Sequence, residues 1–282
     1  MEAIADVMNR LNNTRMGSTS EICYEHKVQA NGKEYTKEIR KITFDGEIFC
    51  PICERDRTTQ ELSDEEDLKI ERAMGRRKYN VFHNQSIVTD SELLNASFTN
   101  YQAVKKEEID NKEKATKAFT EYKEGETFTT WISGDPGVGK SHLSMSILRN
   151  LNESGSKNKS CLYVEIEEML SLIRDSYDNK ESRYSERYFI ELLSGVDYLV
   201  LDDLGAEVGG SGTKKVATDF VLRILKAVTN ARQDKSTIVT TNLTREELVS
   251  MYDARLVSRI MKDIFVIKFD DTTDKRIKKY EI

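Results

Sequence analysis

The pattern of apolar and polar positions changes character near Gly125. After that residue, short apolar runs alternate with amphipathic stretches. The runs that predict β-strands are residues 128–133, 161–166, 197–202, 236–241 and 264–269. The stretches that predict helices are residues 140–152, 167–178, 184–194, 215–233, 245–261 and 273–280. Alternation of this kind predicts a parallel β-sheet with helices on both of its faces.

The chain before Gly125 is more polar and lacks this alternation. Four apolar residues near the start recur at helical spacing and predict an amphipathic helix: Ile4, Val7, Met8 and Leu11. This stripe either closes the core of a small domain or docks into a groove on a partner protein. Residues 20–53 predict short strands and turns around cysteines, and residues 61–82 and 105–123 predict polar helices.

Composition narrows the class of protein. Of 282 residues, 38% are hydrophobic and 33% are charged, which is polar but compatible with a globular core. The 43 Lys and Arg against 49 Asp and Glu give a net charge of −6, so any DNA contact requires a local basic patch. No apolar run approaches the roughly 20 residues of a membrane span. Four cysteines are too few for a disulfide scaffold, and we expect a cytoplasmic protein without membrane contact.

One segment between a predicted strand and a predicted helix matches the phosphate-loop pattern G-x-x-x-x-G-K-[ST]. With the residue that follows it, the segment comprises Gly134, Asp135, Pro136, Gly137, Val138, Gly139, Lys140, Ser141 and His142. The glycines allow several backbone N–H groups to point at one anion, and the helix N-terminus adds to this site. Lys140 brings a positive charge to the β- and γ-phosphates, and Ser141 offers an oxygen to Mg²⁺. The segment therefore predicts ATP binding.

Two further strand ends carry candidate residues for ATP chemistry. The predicted strand 197–202 ends in Asp202 and is followed by Asp203. We expect Asp202 to hold Mg²⁺ and Asp203 to orient the attacking water or accept its proton. The carboxylate of Asp203 extends one carbon less far from the backbone than that of a glutamate would. The nearby Glu207 is therefore a reserve candidate for the base. Asn242 follows the strand 236–241, where it either points at the γ-phosphate or begins a helix.

Together these residues resemble the DnaC/DnaI helicase loaders. The resemblance covers about residues 97–282 and is carried by the motifs at 134–141, 201–205, 240–242 and 255–260. It implies an α/β fold of the AAA+ P-loop ATPase class, with a five-stranded parallel sheet flanked by helices. It implies delivery of a DnaB-type hexameric replicative helicase onto single-stranded DNA. It further implies self-association through ATP interfaces and ATPase turnover that assembly or single-stranded DNA stimulates.

The resemblance also implies roles for three arginines near the end of the chain. Arg259 matches the box that supplies an arginine finger to the neighbouring subunit's ATP, where it would neutralise transition-state charge. Arg255 lies one turn earlier and either supports Arg259 or belongs to a solvated helix face. Arg276 is a candidate for the second sensor of the nucleotide. Residues 97–101 are similar to the family segment that lies near the adenine.

A cysteine cluster predicts a metal site in the first part of the chain. Cys23-x-x-His26 and Cys50-Pro-Ile-Cys53 form two ligand pairs, and four such ligands suit structural, tetrahedral Zn²⁺. A redox pair or unligated buried thiols are the alternative interpretations, and His83 is a reserve ligand. The layout resembles that of DnaI-type loaders, which implies that this zinc-bearing part binds the helicase.

The predicted domain organisation has three segments. Residues 1–82 form a small zinc-binding, helicase-interacting α+β domain, residues 83–104 form a linker and the start of the ATPase domain, and residues 105–282 form the AAA+ ATPase domain. Two other functions stay open beside helicase loading. One is an ATP-gated adaptor with little turnover, and the other is an IstB-like transposition helper ATPase.

Overall fold

The computed structural model describes residues 16–30, 32–154, 159–179, 181–208 and 216–276. The chain divides into two compact units, Met1–Ala73 and Met74–Ile282. The predicted stripe of Ile4, Val7, Met8 and Leu11 lies outside the described residues. Of the helix predicted at 273–280, only residues 273–276 are described, and they form irregular backbone and a turn, not a helix. None of the helices within the described ranges combines the length and the apolar character that crossing a membrane requires.

The first unit contains a three-stranded antiparallel sheet with the order β1-β2-β3. Strands β1 (Met16–Ala30) and β2 (Lys33–Phe44) have 15 and 12 residues, so they are longer than the sequence predicts. A two-residue turn joins β2 to β3 (Glu47–Phe49). Asp45 and Gly46 form this turn with φ angles of 45° and 88°, the left-handed conformations that tight hairpins require.

The long helix α1 (Pro51–Gln85) begins directly after the sheet, ten residues before the predicted start at residue 61. Pro51 occupies the first helical position, where its missing N–H costs nothing and its fixed φ suits the helix. The amide of Glu54 donates to the Cys50 carbonyl at 3.0 Å, which closes the first turn. The Cys-Pro-Ile-Cys segment is therefore the start of a helix as well as a ligand pair.

The second unit contains the predicted five-stranded sheet, with the order β5-β6-β7-β4-β8 and parallel pairing throughout. Its strands are β4 (Thr129–Ser133), β5 (Cys161–Glu165), β6 (Tyr198–Asp202), β7 (Ser236–Thr241) and β8 (Ile264–Lys268). Its helices are α2 (Lys106–Glu124), α3 (Lys140–Ser154), α4 (Ile166–Asp178), α5 (Glu186–Gly195), α6 (Asp219–Ala231), α7 (Arg245–Met251) and α8 (Ala254–Ile260). The predicted fold class is confirmed, and each of the five predicted strands is present.

Both faces of this sheet are buried under helices. Successive strand residues enter opposite apolar clusters: Leu199 and Leu201 belong to one, and Tyr198 and Val200 to the other. Because each face has its own core, the strands read as continuous apolar runs. The carboxyl ends of the parallel strands meet at one edge, which is where ligands bind in open α/β sheets.

One predicted helix is wrong as a single element. The stretch 245–261 forms two helices, α7 and α8, because Tyr252 between them is extended with φ −113° and ψ 169°. The Asp253 carboxylate then caps α8 by accepting from the Arg255 amide at 2.7 Å. The break places a tyrosine side chain immediately before the helix that carries the candidate arginine finger.

The predicted domain boundaries stay a prediction. The two compact units meet at Ala73 and Met74, within α1. Inside the predicted linker, Ile87 pairs with the edge strand β5: its amide donates to the Tyr163 carbonyl at 2.8 Å, and its carbonyl accepts from Glu165 at 3.1 Å. This part of the segment 83–104 therefore extends the sheet of the second unit.

Candidate nucleotide-binding and metal sites

The phosphate loop joins β4 to α3 and has the backbone that its glycines predict. Gly134, Gly137 and Gly139 have φ angles of 148°, 78° and 103°. A side chain is excluded on steric grounds as well: a Cβ atom at Gly134 would lie 2.6 Å from Phe269 Cβ, and one at Gly139 would lie 2.9 Å from Tyr101 Cε2. The loop therefore requires glycine at these positions for both conformation and packing.

Lys140 is held at the mouth of the loop and is only 6% exposed. Its Nζ donates to the carbonyls of Gly134 at 3.0 Å and Asp135 at 2.8 Å, and to Asn242 Oδ1. Burial lowers the pKa of Lys140, and the nearby Asp203 carboxylate opposes this shift. The structure thus fixes one ammonium group where the pattern predicts phosphate contact.

Ser141 and Asp202 lie together, as predicted for two residues that share a magnesium ion. Ser141 Oγ donates to Asp202 Oδ2 at 3.0 Å, and Thr240 Oγ1 donates to Asp202 Oδ1 at 2.6 Å. Burial raises the pKa of Asp202, and hydrogen bonds from Thr240, Tyr163 and Ser141 oppose this rise. Hydroxyl and carboxylate oxygens are the hard ligands that Mg²⁺ prefers, so this pair fits the ion.

Asp203 and Asn242 are also brought together. Asn242 Nδ2 donates to Asp203 Oδ1 at 2.9 Å, so the amide of Asn242 joins Asp203 to Lys140. Asp203 has a left-handed φ of 60°, and its amide donates to Thr240 Oγ1 at 2.8 Å. Sequence reasoning gave Thr240 no role, although its position on the strand beside β6 placed a hydroxyl within reach of both aspartates.

Glu207, the reserve base, has other partners. Its Oε1 accepts from the Tyr252 hydroxyl, and its Oε2 accepts from the Gly205 amide at 2.9 Å. Burial raises the pKa of Glu207, and the two hydrogen bonds oppose this rise. The side chain is not part of the cavity that Asp203 lines.

A cavity of about 720 Å³ lies in front of the phosphate loop. The predicted site residues that line it are Pro136, Gly137, Gly139, Lys140, Ser141, His142, Asp202, Asp203, Asn242 and Arg276. Gly134 and Asp135 support the loop through their carbonyls, and Val138 is buried in the apolar core. Arg255 and Arg259 are exposed on α8 and do not line this cavity.

His142 fixes a further wall of the cavity. Its Nε2 lies 3.1 Å from the Ser97 carbonyl and 3.0 Å from Asn100 Oδ1. Burial lowers the pKa of His142, which favours the neutral ring at neutral pH. The predicted segment 97–101 is therefore held against the start of α3, with Tyr101 packed edge-on against the His142 ring.

The cysteine cluster of the first unit assembles as predicted. Within the described residues, the ligand atoms of Cys23, His26, Cys50 and Cys53 all lie within 4.8 Å of one another. The Cys23 and Cys53 sulfurs are 3.7 Å apart, and His26 Nε2 is 3.1 Å and 3.3 Å from the Cys50 and Cys53 sulfurs. Tetrahedral Zn²⁺ with bonds of about 2.0–2.3 Å separates its ligand atoms by about 3.3–3.8 Å, so the cluster fits the ion.

A β-bulge aligns the first ligand pair. Cys23 and His26 are three residues apart, so a regular strand would direct them to opposite faces. In the structure, Cys23 pairs with Ile39 and His26 with Lys37, which leaves one extra residue on β1. This extra residue offsets the odd spacing of Cys23 and His26, so both side chains lie on one face of the strand.

The thiols of the second pair differ in acidity. Burial raises the pKa of Cys50, but hydrogen bonds from the Cys53 amide and the His26 ring outweigh it and bring the pKa to about 7. Burial and the neighbouring Cys23 and Cys50 raise the pKa of Cys53 to about 11. A bound metal would hold both as thiolates. The reserve ligand His83 packs against Tyr79 and Phe82 in the second unit and is not one of the four.

Parts of this chain are similar to known proteins. A family model described as "Nephrocystin 3, N-terminal" matches residues 112–177, a segment that includes the phosphate loop. The chain is 28% identical over 166 residues to "Replicative helicase loader DnaC" of Escherichia coli, in a match that covers 59% of this chain and 63% of that protein. The protein of the same name from Buchnera aphidicola is 28% identical over 170 residues. This chain resembles the DnaC replicative helicase loaders.

The resemblance to DnaC extends to solved structures. The crystal structure of the DnaC helicase loader superposes with a TM-score of 0.52 at 20% identity and covers 64% of this chain and 100% of that chain. AMPPCP-bound DnaA from Aquifex aeolicus gives 0.50 at 17% identity, over 64% of this chain and 52% of that chain. At these identities the superpositions show the fold, which is the predicted AAA+ P-loop fold. The match spans less than two thirds of the length of the curated DnaC proteins.

Proposed function

We propose that this protein is an ATP-hydrolysing loader that delivers a DnaB-type hexameric helicase onto single-stranded DNA during replication initiation. The similarity to proteins named as replicative helicase loaders supports the role. The arrangement of charged and polar groups at the sheet edge supports the chemistry. We further propose that residues 1–82, with Zn²⁺ on Cys23, His26, Cys50 and Cys53, form the part that binds the helicase.

The proposal rests on the hydrogen bonds that join Lys140 through Asn242 to Asp203. The hydrogen-bonded pair of Ser141 and Asp202 lies beside them. Lys140 and the amides of the phosphate loop would bind the phosphates. Ser141 and Asp202 would hold Mg²⁺, which neutralises charge on the phosphate oxygens. Asp203 would orient the attacking water and accept its proton, with its carboxylate held in place by Asn242.

The arginines divide between two positions. Arg276 lines the cavity of its own chain, which suits contact with the bound nucleotide. Arg259 is exposed on α8 and outside that cavity, which suits contact with the ATP of a neighbouring copy. On this proposal, self-association completes the site, so turnover is weak in the isolated chain and rises with assembly or single-stranded DNA.

Phosphate release with and without single-stranded DNA tests the ATPase. Lys140→Ala removes the phosphate contact and is expected to abolish both ATP binding and turnover. Asp203→Asn is expected to retain binding and to lose at least about 100-fold in turnover, within the range for general base catalysis. Matched controls are Lys123→Ala and Asp263→Asn: Lys123 is exposed, and Asp263 has a left-handed φ of 48° like Asp203.

Two outcomes would contradict this assignment. Absence of heat on titration with Mg-ATP would exclude the nucleotide site. Tight ATP binding without turnover under any condition would favour the ATP-gated adaptor.

Loading itself is tested by capture of the replicative helicase from the same genome on single-stranded DNA, and failure of the two proteins to associate would favour the transposition helper instead.

A further inference from the structure

We propose that Glu207 and Tyr252 form a positioning link between the end of strand β6 and helix α8, and that Glu207 is not the base for hydrolysis. The inference rests on the proposed ATPase function and concerns how one site communicates with the next. Strand β6 ends beside Asp203, and α8 carries Arg259. The link would therefore connect the residues that contact a chain's own nucleotide with the arginine offered to a neighbour.

The chain directly after Asp203 is hydrogen-bonded to strand β7. The Leu204 amide donates to the Thr240 carbonyl at 2.9 Å, and Thr241 Oγ1 donates to the Leu204 carbonyl at 2.6 Å. Gly205 has a left-handed φ of 105°, and its amide donates to Glu207 Oε2 at 2.9 Å. On this proposal, movement of Asp203 reaches the Glu207 carboxylate through this hydrogen-bonded segment.

The other oxygen of Glu207 contacts the junction between α7 and α8. The Tyr252 hydroxyl donates to Glu207 Oε1, and the Tyr252 side chain is only 5% exposed. Asp253, the next residue, caps α8, and its second oxygen accepts from Lys226 at 3.2 Å. A tyrosine fixed one residue before a helix cap sets the position of that helix.

These contacts disfavour Glu207 as a base. Both carboxylate oxygens have donors from the protein, and the side chain does not line the nucleotide cavity. A base must reach the water whose proton it accepts, and Asp203 lines the cavity where Glu207 does not. Breaking the link would leave a buried acceptor or hydroxyl without its partner, so the two side chains act as one unit.

A double-mutant cycle tests the link. Tyr252→Phe removes one hydroxyl, Glu207→Gln removes the charge, and the double variant removes both. Each single variant is expected to lower assembly-stimulated turnover by about 2- to 30-fold, the range for positions that carry coupling between sites. The assembly-stimulated turnover of the double variant should equal that of each single variant. The ATP affinity of all three variants should stay within about 2-fold of wild type. The control is Tyr177→Phe, an exposed tyrosine whose hydroxyl donates to Glu186.

The basal turnover of dilute protein distinguishes the alternatives. Loss of basal turnover in Glu207→Gln together with unchanged stimulation in Tyr252→Phe would make Glu207 the base and overturn the proposal. Effects of Tyr252→Phe and Arg259→Ala that add in full would also overturn it, because a link that acts through Arg259 has no effect once that arginine is gone.

Hydrogen exchange gives a readout that does not depend on hydrolysis. In wild type, Mg-ATP is expected to change the protection of α8 amides, and Tyr252→Phe should remove that change while protection of the phosphate loop persists. Unchanged α8 protection in wild type with ATP bound would contradict the link. A protein that shows the α8 response but releases no phosphate would instead contradict the proposed ATPase and leave the link standing.

Discussion

Among the described residues of the first unit, only Cys23 and Cys50 are buried, at 7% and 5% exposure, whereas the second unit buries apolar side chains on both faces of a five-stranded sheet. In the first unit, large side chains such as Tyr24 and Tyr35 are 58% and 49% exposed. The two units therefore differ in what can hold them folded. The first has little apolar core beyond its four clustered Cys and His side chains, so we expect its folding to depend on a metal ion, whereas the second has a core of its own and carries its site at the strand ends.

Removal of the Zn²⁺ proposed for the first unit is expected to have the largest effect and to distinguish the two units in stability. Structural zinc contributes an apparent 10–16 kcal/mol in small zinc-dependent domains, roughly the whole free energy of folding. A strong chelator, or Cys53→Ser, should therefore unfold the first unit and leave the second folded. Hydrogen exchange of residues 16–49 reports the first unit. Fluorescence of the single tryptophan, Trp131 in β4, reports the second.

The matched control for this experiment is Cys161→Ser. Cys161 is a buried thiol of the second unit and is not one of the four clustered ligands. The Cys161→Ser variant should leave the metal content unchanged and lower the free energy of unfolding of the second unit only. Protection of residues 16–49 that survives complete removal of the metal would contradict this difference between the units, because the first unit would then fold on its own core.

The second unit contains a buried arginine whose loss is expected to have the second-largest effect. Arg232 is 5% exposed, and burial lowers its pKa to about 10, so it stays charged at neutral pH. Its guanidinium donates to five acceptors: the carbonyls of Leu193, Val196, Asp197 and Ser236, and Thr237 Oγ1. Arg232→Met would leave these buried acceptors without a donor and should lower the free energy of unfolding by about 3–5 kcal/mol.

Urea unfolding followed by Trp131 fluorescence measures this effect. The control is Arg245→Met at an exposed arginine, which should stay within about 0.5 kcal/mol of wild type. Metal content and protection of the first unit should not change in either variant. A shift of both units by Arg232→Met would mean that they unfold together and would contradict the separation drawn from their cores.

What the sequence reveals depends on how local the signal is. The phosphate loop, the five strands and the aspartates at the end of β6 are local patterns; the structure contains all five strands and brings the loop and the aspartates to their carboxyl ends. The role of Thr240 depends on a contact 38 residues away with Asp202. The pairing of Tyr252 with Glu207 spans 45 residues, and Tyr252 lies at the break in a predicted helix. Periodicity within one segment cannot show such contacts, because it carries no information on which strands are neighbours.

The first unit illustrates a second limit. The ligand pairs are visible as Cys-x-x-His and Cys-x-x-Cys, but the bulge that aligns Cys23 with His26 depends on the register of β1 against β2. An available signal was missed at Pro51, since proline in the first helical position marks a helix start. In a unit with so few buried side chains, apolar periodicity is weak, and turn and cap residues become the better guide.

The Glu107 carboxylate accepts several hydrogen bonds in the second unit, and its replacement is expected to have the smallest effect on stability. Burial raises the pKa of Glu107, but bonds from the Thr272 hydroxyl and from the Asp270 and Asp271 amides outweigh it and lower the pKa. These bonds hold the segment that reaches the phosphate loop, where the Lys275 amide donates to the Gly137 carbonyl at 3.0 Å. Glu107→Gln should lower the free energy of unfolding at pH 7 by about 0.5–1.5 kcal/mol.

The stabilisation by Glu107 depends on pH. Because the folded-state pKa of Glu107 lies below the unfolded value of about 4.3, its stabilisation is complete above that pH and is lost as pH falls through the folded pKa. The difference between wild type and Glu107→Gln should therefore be largest near neutrality and shrink below about pH 4. Glu113→Gln, on an exposed position of the same helix, is the control. A Glu107→Gln difference that is independent of pH would mean that the clamp acts through packing and not through the charge of its carboxylate.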